Sequence, residues 1–141
     1  MCSVREILKQ KGPHFNFINE SATVHKAAAS MKSKNISYLI VRKNRQYKGI
    51  ISERDCVYKL ILQEKLAGHT LLNEIMTIDL PVIGPGDKAE HCMTLINSSK
   101  SRYLSVFDGS NFKGIITIHD LIREAIASHE QFKGGTRWYV D

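Results

Sequence analysis

The sequence predicts a mixed α/β (α+β) fold built from two β-α-β-β-α repeats, and three observations carry that prediction. Lys48-Gly49-Ile50-Ile51-Ser52-Glu53-Arg54-Asp55 returns 65 positions later as Lys113-Gly114-Ile115-Ile116-Thr117-Ile118-His119-Asp120. At the same offset Val24, Ala27, Ala28 and Met31 land on Ala89, Cys92, Met93 and Ile96, each quartet spaced i, i+3, i+4, i+7 like one face of a helix. Tyr38, Leu39 and Val41 likewise fall on Tyr103, Leu104 and Val106, and Ile18 falls on Ile83. Self-similarity at a fixed period makes the repeat the unit of fold.

The elements follow in order. Val4 to Lys9 and Leu72 to Met76 read as a short helix or arm opening each repeat. Ile7 matches Ile75 at an offset of 68, so three additional residues within Lys9 to Phe17 predict a longer surface connection. Extended segments come next, around Ile18 and at Val82-Ile83. Thr23 is placed to cap the first long helix, and Asp87 with Glu90 has capping-box spacing for its counterpart. Ile36 to Val41 and Tyr103 to Phe107, rich in β-branched and aromatic residues, predict strands. Turns at Lys43-Asn44-Arg45-Gln46 and Asp108-Gly109-Ser110-Asn111 lead into Lys48 to Ile51 and Lys113 to Ile116, completing two hairpins. Each hairpin runs into a helix, Glu53 to Gln63 or Ile118 to His129, with Val57, Leu60 and Ile61 matching Ile122, Ala125 and Ile126.

Ala67-Gly68-His69-Thr70 marks the boundary between repeats. The domain reading is therefore 1–70 for the first repeat with its arm, 71–127 for the second, and 128–141 for a polar tail. Gly134-Gly135 and then Trp138-Tyr139-Val140 close that tail, which is expected either to dock on the body or a partner subunit or to fray.

With 141 residues and 43% apolar content the chain can bury a core, as one domain or as two small halves. No apolar run approaches the roughly 20 residues that cross a bilayer, and the N-terminus lacks a signal-peptide core, so a soluble, cytoplasmic protein without a membrane partner is expected. Cys2, Cys56 and Cys92 are odd in number and lack CxxC spacing, which indicates neither a disulfide framework nor a zinc site. Buried or idle thiols are the expectation.

A net charge of +6 favours anionic partners. It is spread along the chain and is densest at Arg42-Lys43-Asn44-Arg45, with Lys48 just beyond, in a turn between strands. A solvated hairpin tip is the plain reading, and nucleic-acid binding is disfavoured because the patch lacks interleaved aromatic residues and any reader motif. Catalysis is disfavoured too. There is no Walker-type glycine loop, HExxH or nucleophile elbow, and His91 and Cys92 would point about 100° apart on a helix. No catalytic residue, metal site or catalytic cofactor is expected.

The pattern G-h-h-[ST]-x-x-D, with h apolar, is complete in both repeats, as Gly49 to Asp55 and as Gly114 to Asp120. Two copies at fixed spacing in a β-α-β-β-α frame resemble a tandem pair of CBS domains, a Bateman module, over nearly the full chain. The Ser52-Glu53-Arg54-Asp55 form and the short length are most similar to stand-alone bacterial two-CBS proteins. The resemblance implies a disc with a pseudo-twofold axis and two clefts between the repeats, where family members bind adenosine-containing ligands: AMP, ADP, ATP, S-adenosylmethionine or NAD(H).

The motif's physics fits that use, since a helix N-terminus opening after Ile51 or Ile116 would present N–H groups and a dipole to phosphate. Asp55 or Asp120 would accept hydrogen bonds from a ribose diol, and Ser52 or Thr117 would offer a hydroxyl. Arg54 or His119 would neutralise phosphate. Ile18, Ile36, Tyr38, Ile83 and Tyr103 would wall the adenine. The same Ser52-x-x-Asp55 and Thr117-x-x-Asp120 pairs are also caps for their own helices, and the two tyrosines are equally suited to core packing.

The half-sites differ, because Arg54 is a permanent cation and His119 titrates near neutrality. Repeat one is therefore expected to prefer more phosphate charge, unless Arg102, standing where repeat one has Ser37, supplies the missing cation. The implied function is a non-catalytic sensor whose module or homodimer rearranges on ligand binding, with an unidentified regulated protein in trans or none. The alternative is a ligand-independent protein-protein interaction or dimerisation module.

Overall fold

The computed structural model describes residues 2–132, and the tail residues 133–141, including Trp138-Tyr139-Val140, lie outside them. The elements run α1 (Val4–Lys11), β1 (Phe17–Asn19), α2 (Val24–Lys34), β2 (Tyr38–Lys43), β3 (Gln46–Ser52), α3 (Glu53–Asp55), α4 (Leu72–Ile75), β4 (Val82–Ile83), α5 (Ala89–Ser99), β5 (Tyr103–Asp108), β6 (Asn111–Thr117) and α6 (Ile118–Phe132). Both repeats thus have the predicted β-α-β-β-α order. No helix among the described residues is long and apolar enough to cross a membrane.

Each repeat forms a three-stranded sheet, β1-β2-β3 or β4-β5-β6, with the first pair parallel and the second antiparallel. The registers agree residue for residue. Tyr38 faces Ser52 as Tyr103 faces Thr117, and Ile18 pairs with Val41 as Ile83 pairs with Val106. Both hairpins slip by one residue after Val41 or Val106, leaving Lys48 and Lys113 as the extra residues of matching bulges. Their turns differ. Asn44 and Arg45 both take positive φ, 51° and 65°, as a type I′ turn requires, whereas the second turn starts with Gly109 at 62°.

The helix faces are those predicted, but narrower. Val24, Ala27 and Met31 are buried in one core with Leu39, Val41 and Ile51, and Ala89, Cys92 and Ile96 in the other with Leu104, Val106 and Ile116. Ala28 and Met93, the matching fourth members, are exposed. Thr23 caps α2 by accepting the Lys26 N–H at 3.2 Å. The expected capping box at Asp87 and Glu90 does not form. Lys88 occupies the N-cap of α5 without a side-chain bond, and Asp87 accepts the Gly84 N–H at 2.7 Å, holding the preceding turn.

Each repeat's opening arm packs on the sheet and helix of the other repeat. Val4 and Leu72 donate their N–H groups to the carbonyls of Asp87 and Ala22, both at 2.9 Å, while Ala89 and Val24 donate to Cys2 and Thr70 at 3.1 and 2.9 Å. Val4 and Ile7 accordingly belong to the core of repeat two, and Leu72 and Ile75 to that of repeat one. The compact units are Phe15–Asp79 and, among the described residues, 2–14 with 80–132. They do not coincide with the sequence boundaries 1–70 and 71–127, because a boundary drawn at the turn residues 67–70 cannot register which sheet an arm joins.

Two local expectations are corrected. The three additional residues before Phe17 extend α1 by a turn to Lys11, where Gly12 (φ 83°) ends it, whereas α4 stops at Ile75. They are not simply a longer surface connection. The helix expected over Glu53 to Gln63 is α-helical only to Asp55 and continues as a π-helix over Cys56–Ile61, closed by the Leu62 N–H to the Val57 carbonyl at 3.1 Å. Of its three apolar positions only Leu60 is buried, and Ile61 is 63% exposed.

Candidate functional site

In the Phe15–Asp79 unit the motif begins at Gly49, where a Cβ would run into the backbone carbonyl of Thr77. Glycine lets the strand-like segment around Thr77 lie against β3, with Ile50 and Thr77 exchanging backbone hydrogen bonds of 2.9 and 2.8 Å. The strand then delivers Ser52 as N-cap of α3. Asp55 Oδ2 accepts the Ser52 N–H at 3.0 Å and its hydroxyl at 3.1 Å, and Ser52 Oγ accepts the Asp55 N–H at 3.2 Å. Asp55 Oδ1 accepts the Thr77 hydroxyl at 2.7 Å and pairs with Lys59 Nζ at 3.0 Å. The carboxylate is buried and every bond to it comes from a donor of its own unit.

The other unit repeats the box with a different outer layer. Asp120 Oδ2 accepts the Thr117 N–H at 2.9 Å, and Thr117 Oγ1 accepts the Asp120 N–H at 3.1 Å. Lys11, at the end of α1, places Nζ 2.8 Å from Asp120 Oδ2 and 2.8 Å from the Ile115 carbonyl. Arg123 meets Oδ1 at 2.6 Å. Where Ile50 pairs with the backbone of Thr77, its counterpart Ile115 is therefore met by an ammonium. At each helix start most of the N–H groups expected for phosphate are engaged internally, leaving those of Arg54 and His119. Ser52, Glu53 and Asp55 donate to Asp55, to the Ser37 carbonyl and to Ser52, and Thr117, Ile118 and Asp120 donate to the corresponding partners.

A family model, described as the CBS domain, matches residues 4–62 and 72–127. The chain belongs to the CBS-domain family. It is 27% identical over 138 residues to the mitochondrial CBS domain-containing protein CBSX3 of Arabidopsis thaliana, covering 92% of this chain and 67% of that protein. A protein assigned to signal transduction, with CBS domains, from Burkholderia ambifaria MC40-6 has a similar structure, with a TM-score of 0.85 and 29% identity over 99% of this chain and 100% of that one. A hexameric CBS-CP12 protein from bloom-forming cyanobacteria matches at a TM-score of 0.75 and 27% identity, over 91% and 74% of the two chains. The architecture is that of a CBS pair.

Within each CBS repeat the predicted site residues are distributed unevenly. Ser52 and Asp55, Tyr38 across the ladder, and Ser37 through its carbonyl converge at one strand end, and Thr117, Asp120, Tyr103 and Arg102 do so in the second repeat. Arg54 is exposed, its guanidinium 5.5 Å from the Tyr58 ring, and His119 and Arg102 are exposed as well. Ile36 packs at the rim of the repeat-one core and also lines, with Ser37, Glu53 and Cys56, a cavity of about 520 Å³. Of the two isoleucines expected as adenine walls, Ile18 is half-buried and Ile83 is buried. Ile18 packs against the core, Ile83 is 3% exposed within it, and strand alternation turns Val82 outward instead, at 62%.

Sequence reading missed the four side chains that hold the two carboxylates. Lys59 at i+4 from Asp55 and Arg123 at i+3 from Asp120 carry a helical-spacing signal. Lys11 and Thr77 carry none, because they arrive on the exchanged arms. Lys11, Asp120 and Arg123 also border a cavity of about 900 Å³ between α1 and α6 that includes Glu6 and Glu124.

Proposed function

We propose that this chain is a non-catalytic regulatory module that binds adenosine-containing ligands (AMP, ADP, ATP, S-adenosylmethionine or NAD(H)) at the motif end of one or both CBS repeats. The observation that carries this reading is the Thr77 hydroxyl, 2.7 Å from Asp55 Oδ1. It places a neutral hydroxyl on the motif carboxylate, the kind of donor that a ribose diol would present in its stead. Tyr38 and Ser37 stand beside it for the base, and Arg54 is exposed for phosphate. Ligand binding would act by favouring one arrangement of the module or of its homo-oligomer over another. Self-association accords with the hexamer named for the cyanobacterial relative.

A second reading is favoured by the internal donors found on both oxygens of each carboxylate: a ligand-independent interaction module in which Asp55 and Asp120 serve as pins for the exchanged arms. Calorimetric titration of nucleotide-stripped protein with the adenosyl panel separates the two, repeated on Asp55→Asn and Asp120→Asn once both are seen to fold. Saturable heat removed by either substitution supports the sensor. No heat and no thermal stabilisation at high ligand concentration would leave the interaction module.

A further inference from the structure

The two β2-β3 and β5-β6 hairpins provide an internal comparison. They share length, register and bulge, yet the second carries Asp108, Gly109 and Ser110 at its tip and a single cation, Lys113, whereas the first carries Arg42, Lys43, Arg45 and Lys48. The fold therefore does not require the basic tip. Nor does turn geometry, for Asn44 and Arg45 both sit at positive φ where the second hairpin uses one glycine. A left-handed arginine is strained where glycine would not be, and strain retained at a surface position points to a role outside folding.

Besides the half-buried Tyr47 of the hairpin itself, aromatic residues reach the tip from β1 and the residues just before it. Phe15 and Phe17 form a tilted pair with ring centroids 5.6 Å apart, and the Arg42 guanidinium lies 4.2 Å from the centre of the Phe17 ring. Phe15 is 41% exposed. Arg42, Lys43, Arg45 and Lys48 are all exposed, and the acid seen to pair with this group is Glu20, 3.5 Å from Lys43. The result is one surface combining cations for a phosphate backbone with an aromatic ring and a stacked guanidinium for bases, the pairing by which single strands are held.

We infer that the first-repeat hairpin, with Phe15 and Phe17, is a docking surface for single-stranded nucleic acid. It is separate from the motif ends and independent of whether they bind an adenosyl ligand. The test is fluorescence anisotropy of a labelled oligothymidylate with the full chain over a salt series. A surface engaging three or four cations predicts a log–log salt slope of about −2 to −3. Arg42→Ala with Arg45→Gly weakens binding roughly tenfold or more and makes the slope shallower by about 1.4. Arg45→Gly suits this test because glycine adopts the required φ without a Cβ penalty. Phe15→Ala weakens binding about fivefold or more with the slope unchanged, and Lys113→Ala has no effect. Absence of binding at low salt, or indifference to these substitutions, overturns the inference. So would equal affinity for polyglutamate or phosphatidylserine vesicles with no effect of Phe15→Ala, which marks an acidic protein or lipid surface instead.

Discussion

The Lys11 ammonium and the Asp120 carboxylate meet at 2.8 Å although they are 109 positions apart in sequence. The contact joins the arm of one repeat to the motif of the other, and the same ammonium satisfies the Ile115 carbonyl. Lys11→Met removes both bonds while Arg123 remains on the carboxylate. Because the Asp120 side chain is 3% exposed, a loss of about 1–3 kcal/mol is expected in equilibrium urea unfolding. A loss below about 0.5 kcal/mol would show that the contact does not hold the arm.

At the equivalent place in repeat one the partner is a neutral hydroxyl, and its contribution is separable by chemistry. Thr77→Val keeps the shape and deletes the bond to Asp55, with an expected destabilisation of about 1–2 kcal/mol. Thr77→Ser retains the hydroxyl and should unfold at nearly the wild-type denaturant concentration. Equal behaviour of the two variants would reject the hydrogen bond as the cause.

Gly49→Ala drives a methyl group into the Thr77 carbonyl, and the atoms it meets there, on Thr77 and Ile78, are all backbone. A loss of at least about 2 kcal/mol follows from forcing the strand-like segment off β3, visible as faster amide exchange at Ile50 and Thr77. Unchanged protection at those two amides would contradict the close approach.

The repeat, the order of its strands and helices and the Ser-x-x-Asp and Thr-x-x-Asp boxes were legible because they depend on local spacing, repeated once. The arm exchange was not, since Val4 and Leu72 look alike in periodicity whichever sheet receives them. The π-helix at Cys56–Ile61 was hidden for a related reason: Val57, Leu60 and Ile61 fit a helical face, and only the observed hydrogen-bond pattern reveals that Ile61 has turned outward. Asp87 fitted a cap by spacing, but the Gly84 N–H was nearer. At the candidate site the carboxylates were identified and their outer partners Lys11 and Thr77 were not. The aromatic neighbours of Arg42 were missed because Phe17 lies on an adjoining strand and Phe15 just before it.

Cys92 is fully buried, and burial, with Asp87 adding to it, pushes its thiol from an ordinary 9.0 up to about 11. Above pH 9 the unfolded chain releases this proton while the folded protein keeps it, so stability is complete below pH 9 and falls by roughly 1.4 kcal/mol per pH unit up to about pH 11. Urea midpoints across that window should decline less steeply for Cys92→Ala than for the parent, which isolates this thiol from the lysines and tyrosines. Parallel declines would mean that Cys92 does not contribute.

The arm exchange also sets an order of events during synthesis. The Phe15–Asp79 unit is one uninterrupted stretch and can close once its last residue has left the ribosome, because domains tend to fold as units while the chain is made. The other unit is split around it. The apolar face of α1, Val4 and Ile7, must wait while all of that inserted unit is translated and until Ile83, Ala89 and Leu121 emerge to cover it. Helix α1 is thus made before the inserted unit and housed only after it, and the nascent chain spends that interval with a sticky segment uncovered, the stage at which a chaperone or a neighbouring copy has most to offer it.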